Sequence, residues 1–435
     1  MILLQTKPVK LSVLHHFLFS FMLFFLGVMN VSAQDFNLFK GEILDSDSKK
    51  PLVFATLSVA NSNISSISNA EGKFSLKIPK ENSTKQLVIS FLGYKTKTIA
   101  IKDLKTSGNN KIYLDITVTA LTEINISAPK DPRTLVLETL KKRGENYFED
   151  PTLMTAFYRE SIKKRRKNIS LSEAVVNIYK APYSNSRKDA VELYKTRKST
   201  NYSKMDTLAL KLQGGPFNAL YVDVMKYPQY IFGLDALKYY EFAFDHSTRI
   251  NNRLVYVISF KQNDKTSDPL YKGKLYIDAE KKILTSAIYS LNITDKQKAA
   301  KLFVRKKPNK AKVWPTDVAY RVDYREKNNK WYYGYSSAIL EFKIDWDSRL
   351  FNSVYSMSCE MAVTDWKKNT SNVLPKGKDK VKMSIILGDE AVGFSDPNFW
   401  GEYNIIEPEK SIESAIKKIN RQLKRSKGNG SDVKP

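Results

Sequence analysis

One turn and the strand after it constrain this chain most: Asn69-Ala70-Glu71-Gly72-Lys73-Phe74-Ser75-Leu76-Lys77-Ile78-Pro79. Gly72 supplies a backbone position free to take positive φ. Phe74, Leu76 and Ile78 then alternate with Lys73, Ser75 and Lys77, the period of a half-buried strand. Pro79 brings no N–H to a ladder and stops it.

The same signals surround it. Residues 39–45, 54–60, 64–68, 87–91, 96–101, 111–114 and 121–127 read as short strands. Turn residues separate them, as in Asp45-Ser46-Asp47-Ser48-Lys49-Lys50-Pro51 and Asn61-Ser62-Asn63. Short strands with regular turns predict an antiparallel β-sandwich over residues 34–128. Four blocks carry a resemblance: Gly41-Glu42-Ile43-Leu44-Asp45, Pro51-Leu52-Val53-Phe54-Ala55-Thr56-Leu57-Ser58-Val59, Asn69-Ala70-Glu71-Gly72-Lys73-Phe74 and Ser90-Phe91-Leu92-Gly93-Tyr94. In these the chain resembles the carboxypeptidase regulatory-like domain, whose usual pattern has an acidic residue where Asn69 stands. The resemblance implies a transthyretin-like fold, common in envelope proteins of Bacteroidetes-type bacteria and often leading TonB-dependent receptors. It also implies an accessory role without catalysis.

The N-terminus points to export. Lys7 and Lys10 precede an apolar run over residues 11–28, and Val31-Ser32-Ala33 follows. This predicts a signal peptide over residues 1–33, cut between Ala33 and Gln34. An uncleaved membrane anchor is the alternative, since the run is long enough to span. No cysteine stands at the cut, which argues against lipoprotein processing. The formal charge of +26 favours anionic lipid head groups, acidic glycans or nucleic acid as partners. Export argues against nucleic acid, and dispersed lysines also suit a plain solvated surface.

Residues 129–150 read as a linker helix that packs between domains. Asp131 is its cap, Pro132 its first residue, and Leu135, Val136, Leu140 and Tyr147 its apolar stripe. Residues 151–406 then read as a larger antiparallel-sheet domain, possible as a half-open barrel. Lys163-Lys164-Arg165-Arg166-Lys167-Asn168 forms a basic hairpin tip, a solvated turn or a lipid or glycan contact. The hairpin at Gly273-Lys274-Leu275-Tyr276-Ile277-Asp278 is similar to exported lipoprotein-carrier folds, in which a curved sheet wraps a helix and holds a lipid chain. The region also resembles an uncharacterised extension that accompanies this sandwich domain, through Phe157-Tyr158-Arg159-Glu160 and Asp396-Pro397-Asn398-Phe399-Trp400. Residues 407–425 read as an amphipathic helix with Ile412, Ala415, Ile416, Ile419 and Leu423 on one stripe, and residues 426–435 as a disordered tail.

Catalytic chemistry finds little support. Beyond the leader, His246 is the sole histidine and Cys359 the sole cysteine. A zinc peptidase site cannot be assembled from such a set; a Ser-His-Asp triad would have His246 alone as its base, with no Gly-x-Ser-x-Gly elbow in the sequence, and Cys359 reads as a buried thiol. Asp345-Trp346-Asp347 places two acids on one strand face about 7 Å apart, within the range that inverting glycosidases use. Trp331-Tyr332-Tyr333-Gly334-Tyr335 is either sheet packing or an aromatic platform for sugar or lipid. An outer-membrane barrel fits poorly with lysine-rich faces and bracketing helices.

The expectation is therefore a mainly β fold: a transthyretin-like antiparallel β-sandwich followed by a larger antiparallel-sheet α+β domain. No residue is assigned to catalysis, a cofactor or a metal. The expected role is that of an exported, non-enzymatic envelope accessory protein, periplasmic or outer-membrane associated. It would bind an envelope protein or an amphiphilic or glycan ligand, with peripheral contact to an anionic membrane surface. The sandwich would dock by edge-strand addition. A glycan-active hydrolase using Asp345 and Asp347 and a periplasmic lipid carrier are the alternatives.

Overall fold

A computed structural model describes residues 36–106, 108–116, 131–165, 167–200, 212–233, 235–250, 253–347, 351–390, 392–393 and 399–409. The leader at 1–33, the strand at 121–127 and the helix beyond residue 409 lie outside them.

The first domain holds β1 (Phe36–Asp45), β2 (Thr56–Val59), β3 (Ser65–Ile67), β4 (Lys73–Pro79), β5 (Gln86–Ser90), β6 (Lys97–Ala100) and β7 (Asn109–Leu114). They form two sheets, ordered β4-β1-β7 and β3-β2-β5-β6. Pairing is antiparallel except between β1 and β7, which run parallel. Ile43, Leu57, Phe74, Leu76, Leu87 and Ile89 meet between the sheets, fully buried. Gly72 takes φ 72°, and a Cβ there would lie 2.8 Å from the Ile43 carbonyl oxygen. Glycine is thus required both by the turn and by the close approach of β1.

The second domain begins with α1 (Pro132–Lys141) and α2 (Arg143–Asn146). The Asp131 carboxylate accepts from the Arg133 and Thr134 N–H groups and closes the first turn of α1. Leu135 and Val136 are buried in the core of the large sheet, so α1 packs on that sheet and not between the domains. Then come β8 (Thr152–Lys164), β9 (Lys167–Lys180), β10 (Ala190–Thr200), α3 (Phe217–Leu220), β11 (Tyr240–Ile250), β12 (Arg253–Gln262), β13 (Tyr271–Asp278) and β14 (Ile283–Leu291). The domain continues with α4 (Lys296–Phe303), β15 (Ala311–Lys327), β16 (Lys330–Trp346), β17 (Ser353–Lys368), α5 (Leu387–Glu390) and β18 (Val392–Gly393).

These strands build one eleven-stranded sheet, ordered β11-β12-β13-β14-β15-β16-β17-β8-β9-β10-β18. The meander from β11 to β17 closes onto the earlier hairpin β8–β9 through β17 and β8. Among the described residues the two ends of the order do not pair, so the sheet is open. Residues 330–346 form one continuous strand, β16.

One face of the sheet is plugged by the chain itself. Residues 214–233 and 235–239 run across it as short helical turns and bury Phe217, Leu220, Val222, Val224, Met225, Tyr227 and Phe232 against Tyr158, Val176, Tyr333 and Met361. At its centre is a polar knot. Lys180 Nζ sits 2.7 Å from both Asp189 Oδ2 and Asp223 Oδ2. Tyr183 and Tyr324 hydroxyls each donate to Asp223 at 2.9 Å. Burial works against the Lys180 charge, and the two carboxylates more than restore it.

The opposite face receives the sandwich, with residues 399–409 threaded between as a strap. Phe157, Val175, Tyr335 and Ala362 of the sheet meet Ile67 of the sandwich and Trp400 and Ile406 of the strap. The two segments Phe157-Tyr158-Arg159-Glu160 and Phe399-Trp400, far apart in the chain, touch through edge-to-face rings 5.3 Å apart. Under the strap, Arg159 Nε reaches Glu173 at 2.7 Å, its Nη1 reaches Glu360 at 3.1 Å, and its Nη2 donates to the Ile406 carbonyl at 2.7 Å. Arg197 holds the other Glu173 oxygen at 2.7 Å and lies over the Trp400 ring.

The strap also covers the sandwich edge. The Asn404 amide accepts from Lys77 N–H at 2.7 Å and donates to its carbonyl at 3.0 Å. It stands in for a neighbouring strand, so the β4 edge is taken by the chain itself. Asn69 explains its departure from the acidic pattern. Its Oδ1 accepts from the Glu71 and Lys73 N–H groups, and its Nδ2 donates to the Glu407 carbonyl at 2.9 Å. An aspartate keeps the turn but sets an oxygen against that carbonyl. Asn69→Asp is expected to cost about 1–3 kcal/mol and to speed proteolytic cutting within residues 399–409. Unchanged cutting kinetics would refute this role for the amide.

Candidate functional site: the cleft between the two domains

Where β2 and β5 of the sandwich face β14 and β15 of the sheet, a cleft of about 290 Å³ remains. Its floor follows from strand geometry. Alternate residues of β15 turn Val322 and Tyr324 into the plugged core and leave Arg321, Asp323 and Arg325 lining the cleft. Its walls are Thr56 and Ser58 of β2, Ser90 at the end of β5, and the rings of Phe54 and Phe91.

Arg321 Nε donates to Asp323 Oδ2 at 2.7 Å, and Ser286 Oγ donates to Asp323 Oδ1 at 2.6 Å. Burial opposes the Arg321 charge, and Asp323 more than restores it. The Arg321 guanidinium lies 5.7 Å from the Phe54 ring centre and 5.9 Å from that of Phe91, within cation–π reach. Phe54 itself takes φ 64°, a left-handed backbone that an aromatic residue adopts at a cost of about 1–3 kcal/mol. Its N–H bonds to Ser68 O at 3.2 Å and its ring packs 5.1 Å from Tyr335, so the surrounding fold holds it there.

Arg325 is buried to 8% exposure. Its Nη1 donates to Ser65 Oγ and to the Val363 carbonyl, joining sandwich to sheet. Its Nε and Nη2 are sealed from solvent, and Tyr332 and Asp323 both favour its charge. The nearby acids are engaged elsewhere: Asp323 with Arg321 and Ser286, Glu326 with Arg253 at 2.9 Å. Burial depresses the Arg325 pKa. Gly334 makes the position possible, because a Cβ there would lie 2.7 Å from Arg325 Cγ.

The residues singled out by sequence fall elsewhere. Asp345 and Asp347 lie at the far end of β16 from Trp331 and Tyr332, which line the cleft. About a dozen residues of strand separate them, roughly 40 Å. Asp345 is half-buried opposite Lys312, and Asp347 is exposed. His246 stands in β11 opposite Val257, four strands from β15. Cys359 is buried in β17, and burial with Glu160 nearby pushes its thiol up to about 12. Glu160 is itself pushed up to about 8 by burial. The residues of Trp331-Tyr332-Tyr333-Gly334-Tyr335 are buried on both faces of the sheet and form no exposed platform. At the basic tip, Lys163 reaches Glu409 of the strap at 3.7 Å. Among the described residues no group of His, Cys, Asp or Glu is placed to hold a metal, and no helix is long and apolar enough to cross a membrane.

The arrangement defines a two-domain, mainly β protein with its polar cleft at the domain seam. Its sandwich is a CarboxypepD_reg-like domain, matched by the model of that family over residues 39–126. No curated protein matches the chain. Among solved structures it is similar to a LolA superfamily protein from Nitrosomonas europaea, at 9% identity and TM-score 0.22, over 56% of this chain and 96% of that one. A DUF1329 family protein from Desulfovibrio piger follows at 10% identity and TM-score 0.21, over 55% and 92%. A lipovitellin structure overlaps at 6% identity and TM-score 0.25, over 58% and 28%.

Arg321, Asp323 and Arg325 escaped the sequence reading. Their signal was a charge at every second position of an otherwise apolar strand. That pattern marks a polar face without saying what covers it.

Proposed function

We propose that this chain is an exported, non-catalytic binding protein of the cell envelope, with its ligand site in the cleft between sandwich and sheet. The cleft carries the reading: both domains build it, and it combines aromatic rings, hydroxyls and a half-buried Arg321–Asp323 pair. Such a mixture of apolar wall and a few fixed polar groups suits a small amphiphilic or glycan ligand.

Calorimetry of the processed chain against envelope saccharides and lipid head-group analogues tests the reading. Phe91→Ala is expected to weaken binding about tenfold, and Asp345→Asn with Asp347→Asn to leave it unchanged. Binding indifferent to Phe91, or a glycan hydrolysis lost with the two aspartates, would sink it.

A lipid carrier is the second reading. It draws on the extended apolar face beneath residues 214–239, which a lipid chain could occupy once that segment moved aside. It requires lipid to be extracted with the protein purified from envelopes.

A further inference from the structure

Three connections that are far apart in the chain meet at one end of the large sheet, the end away from the cleft. β15, β16, β17, β8 and β9 are consecutive neighbours in the sheet. At this end Ala311 pairs with Trp346, Ile344 with Ser353, Tyr355 with Lys164, and Lys164 with Lys167. Backbone bonds tie the connections to one another. Asp347 N–H donates to the Lys310 carbonyl at 3.2 Å, and Arg165 N–H to the Val354 carbonyl at 2.9 Å. Four strand spacings of about 4.8 Å make this row roughly 19 Å wide.

The row is basic. Arg305, Lys306, Lys307, Lys310 and Lys312 lead into β15 and are all exposed, and Arg165 is exposed at the β8–β9 tip. Lys307 Nζ donates to the Ala311 carbonyl at 2.9 Å, which holds the lead-in against the strand end. The acids here are fewer. Asp345 is half-buried opposite Lys312, Asp347 is exposed, and Glu409 is taken by Lys163. The Debye length is about 8 Å at physiological salt, so charges spaced this closely act as one surface.

The same row holds apolar side chains in water. Phe351, in the β16–β17 connection, is 80% exposed, more than any other large hydrophobic residue described. Leu302, at the end of α4 and just before Arg305, is 57% exposed. Behind them Phe303 and Val304 pack on Ala311, Phe342, Ile344 and Trp346, so the sheet end beneath is a filled core. A projecting aromatic ring flanked by cations suits a lipid interface, where the ring enters the head-group layer and the cations meet phosphates. An acidic polysaccharide would answer the charges but leave Phe351 in water.

We propose that this end of the sheet docks on an anionic membrane surface, with Phe351 and Leu302 entering the head-group layer inside a ring of cations. The strap brings the chain to the same end, since Glu409 lies 3.7 Å from Lys163. From there the sequence continues into Lys417, Lys418, Arg421 and Lys424, set among Ile412, Ile416 and Ile419. A protein docked in this way holds its cleft away from the membrane, and the docking does not depend on what the cleft binds.

The test is co-sedimentation of the full processed chain with vesicles. Binding to phosphatidylglycerol–phosphatidylcholine vesicles should be about tenfold or more tighter than to phosphatidylcholine alone, and should fall as salt rises. Arg305→Gln with Lys306→Gln and Lys312→Gln should weaken it about hundredfold. The same charge loss at Lys95, Lys102 and Lys105, exposed on the sandwich, should weaken it about threefold at most. Phe351→Ser should weaken it about tenfold. A polarity-sensitive dye on Phe351→Cys should shift to the blue on the anionic vesicles, while buried Cys359 stays unlabelled. All the substituted side chains are exposed, so the variants keep the fold. Equal binding to both kinds of vesicle, binding to neither, or equal losses from the two charge triples would overturn the proposal. Binding to polygalacturonate that falls with the Arg305 triple but ignores Phe351→Ser, with the vesicles left unbound, would assign the surface to an acidic glycan and overturn it as well.

Discussion

Replacing Lys180 with methionine is expected to destabilise the large domain by about 3–5 kcal/mol, the cost of leaving a buried ion pair half-made. Asp189 and Asp223 are at most 6% exposed, and both depend on the same ammonium. Asp223 also ties residues 214–239 to the sheet, through Lys180 and Tyr183 on one side and Tyr324 on the other. Losing the cation should therefore loosen the plug first and expose the apolar face beneath it. Denaturant unfolding gives the free energy, and binding of an apolar dye reports the exposed face. Adding Asp189→Asn and Asp223→Asn to Lys180→Met removes the stranded charges and should recover much of the loss. A single variant that unfolds within about 1 kcal/mol of wild type would show that the knot does not hold the plug.

Glu173→Ala should act on the other face with a similar cost, about 3–5 kcal/mol. Glu173 is fully buried and receives Arg159 on one oxygen and Arg197 on the other. Without it two guanidinium groups face each other beneath the strap. Arg159 also holds the Ile406 carbonyl, so the strap and the sandwich should loosen together. The expected signature is fast proteolysis within residues 399–409 alongside lower stability. Glu173 further gives a pH dependence. Burial would raise its pKa, but the two arginines outweigh burial and hold it below the ordinary value of 4.5. A carboxylate with a depressed folded pKa contributes stability that is present above its unfolded pKa and lost as pH falls through the folded one. Unfolding free energy measured from pH 7 downward should therefore drop below about pH 4.5, and Glu173→Gln should flatten that part of the drop. A Glu173→Gln profile that falls as steeply as wild type would count against the cluster as the acid-sensitive joint.

Much of the fold was legible from the chain because strand signals are local. The alternation of Phe74, Leu76 and Ile78, the glycine at position 72 and the Asp131-Pro132 pair depend on a few neighbouring residues and recur in the structure where they stand. The irregular, aromatic-rich stretch over residues 205–245, which holds the plug, is visible in the sequence as a break in that rhythm. Its role as a plug is not, because nothing in a single segment says which face of which sheet it will cover. Asn69 looked like a softened family position; it is a contact to a carbonyl more than three hundred residues later. The aspartates at 345 and 347 drew attention through spacing alone, and spacing along one strand does not make a cleft.

By itself the sequence determined the composition of each layer: a sandwich around Gly72 and Phe74, then a long antiparallel sheet with strands of two-residue period. Local sterics and hydrophobic alternation suffice for that. Only the tertiary structure decided which polar faces are covered and which charges are answered. Lys180 and Glu173 find their partners across strands, while Arg325 is buried by a domain that brings it the Ser65 hydroxyl. Burial and charge compensation are properties of surfaces that meet in space, and no local pattern encodes where they meet.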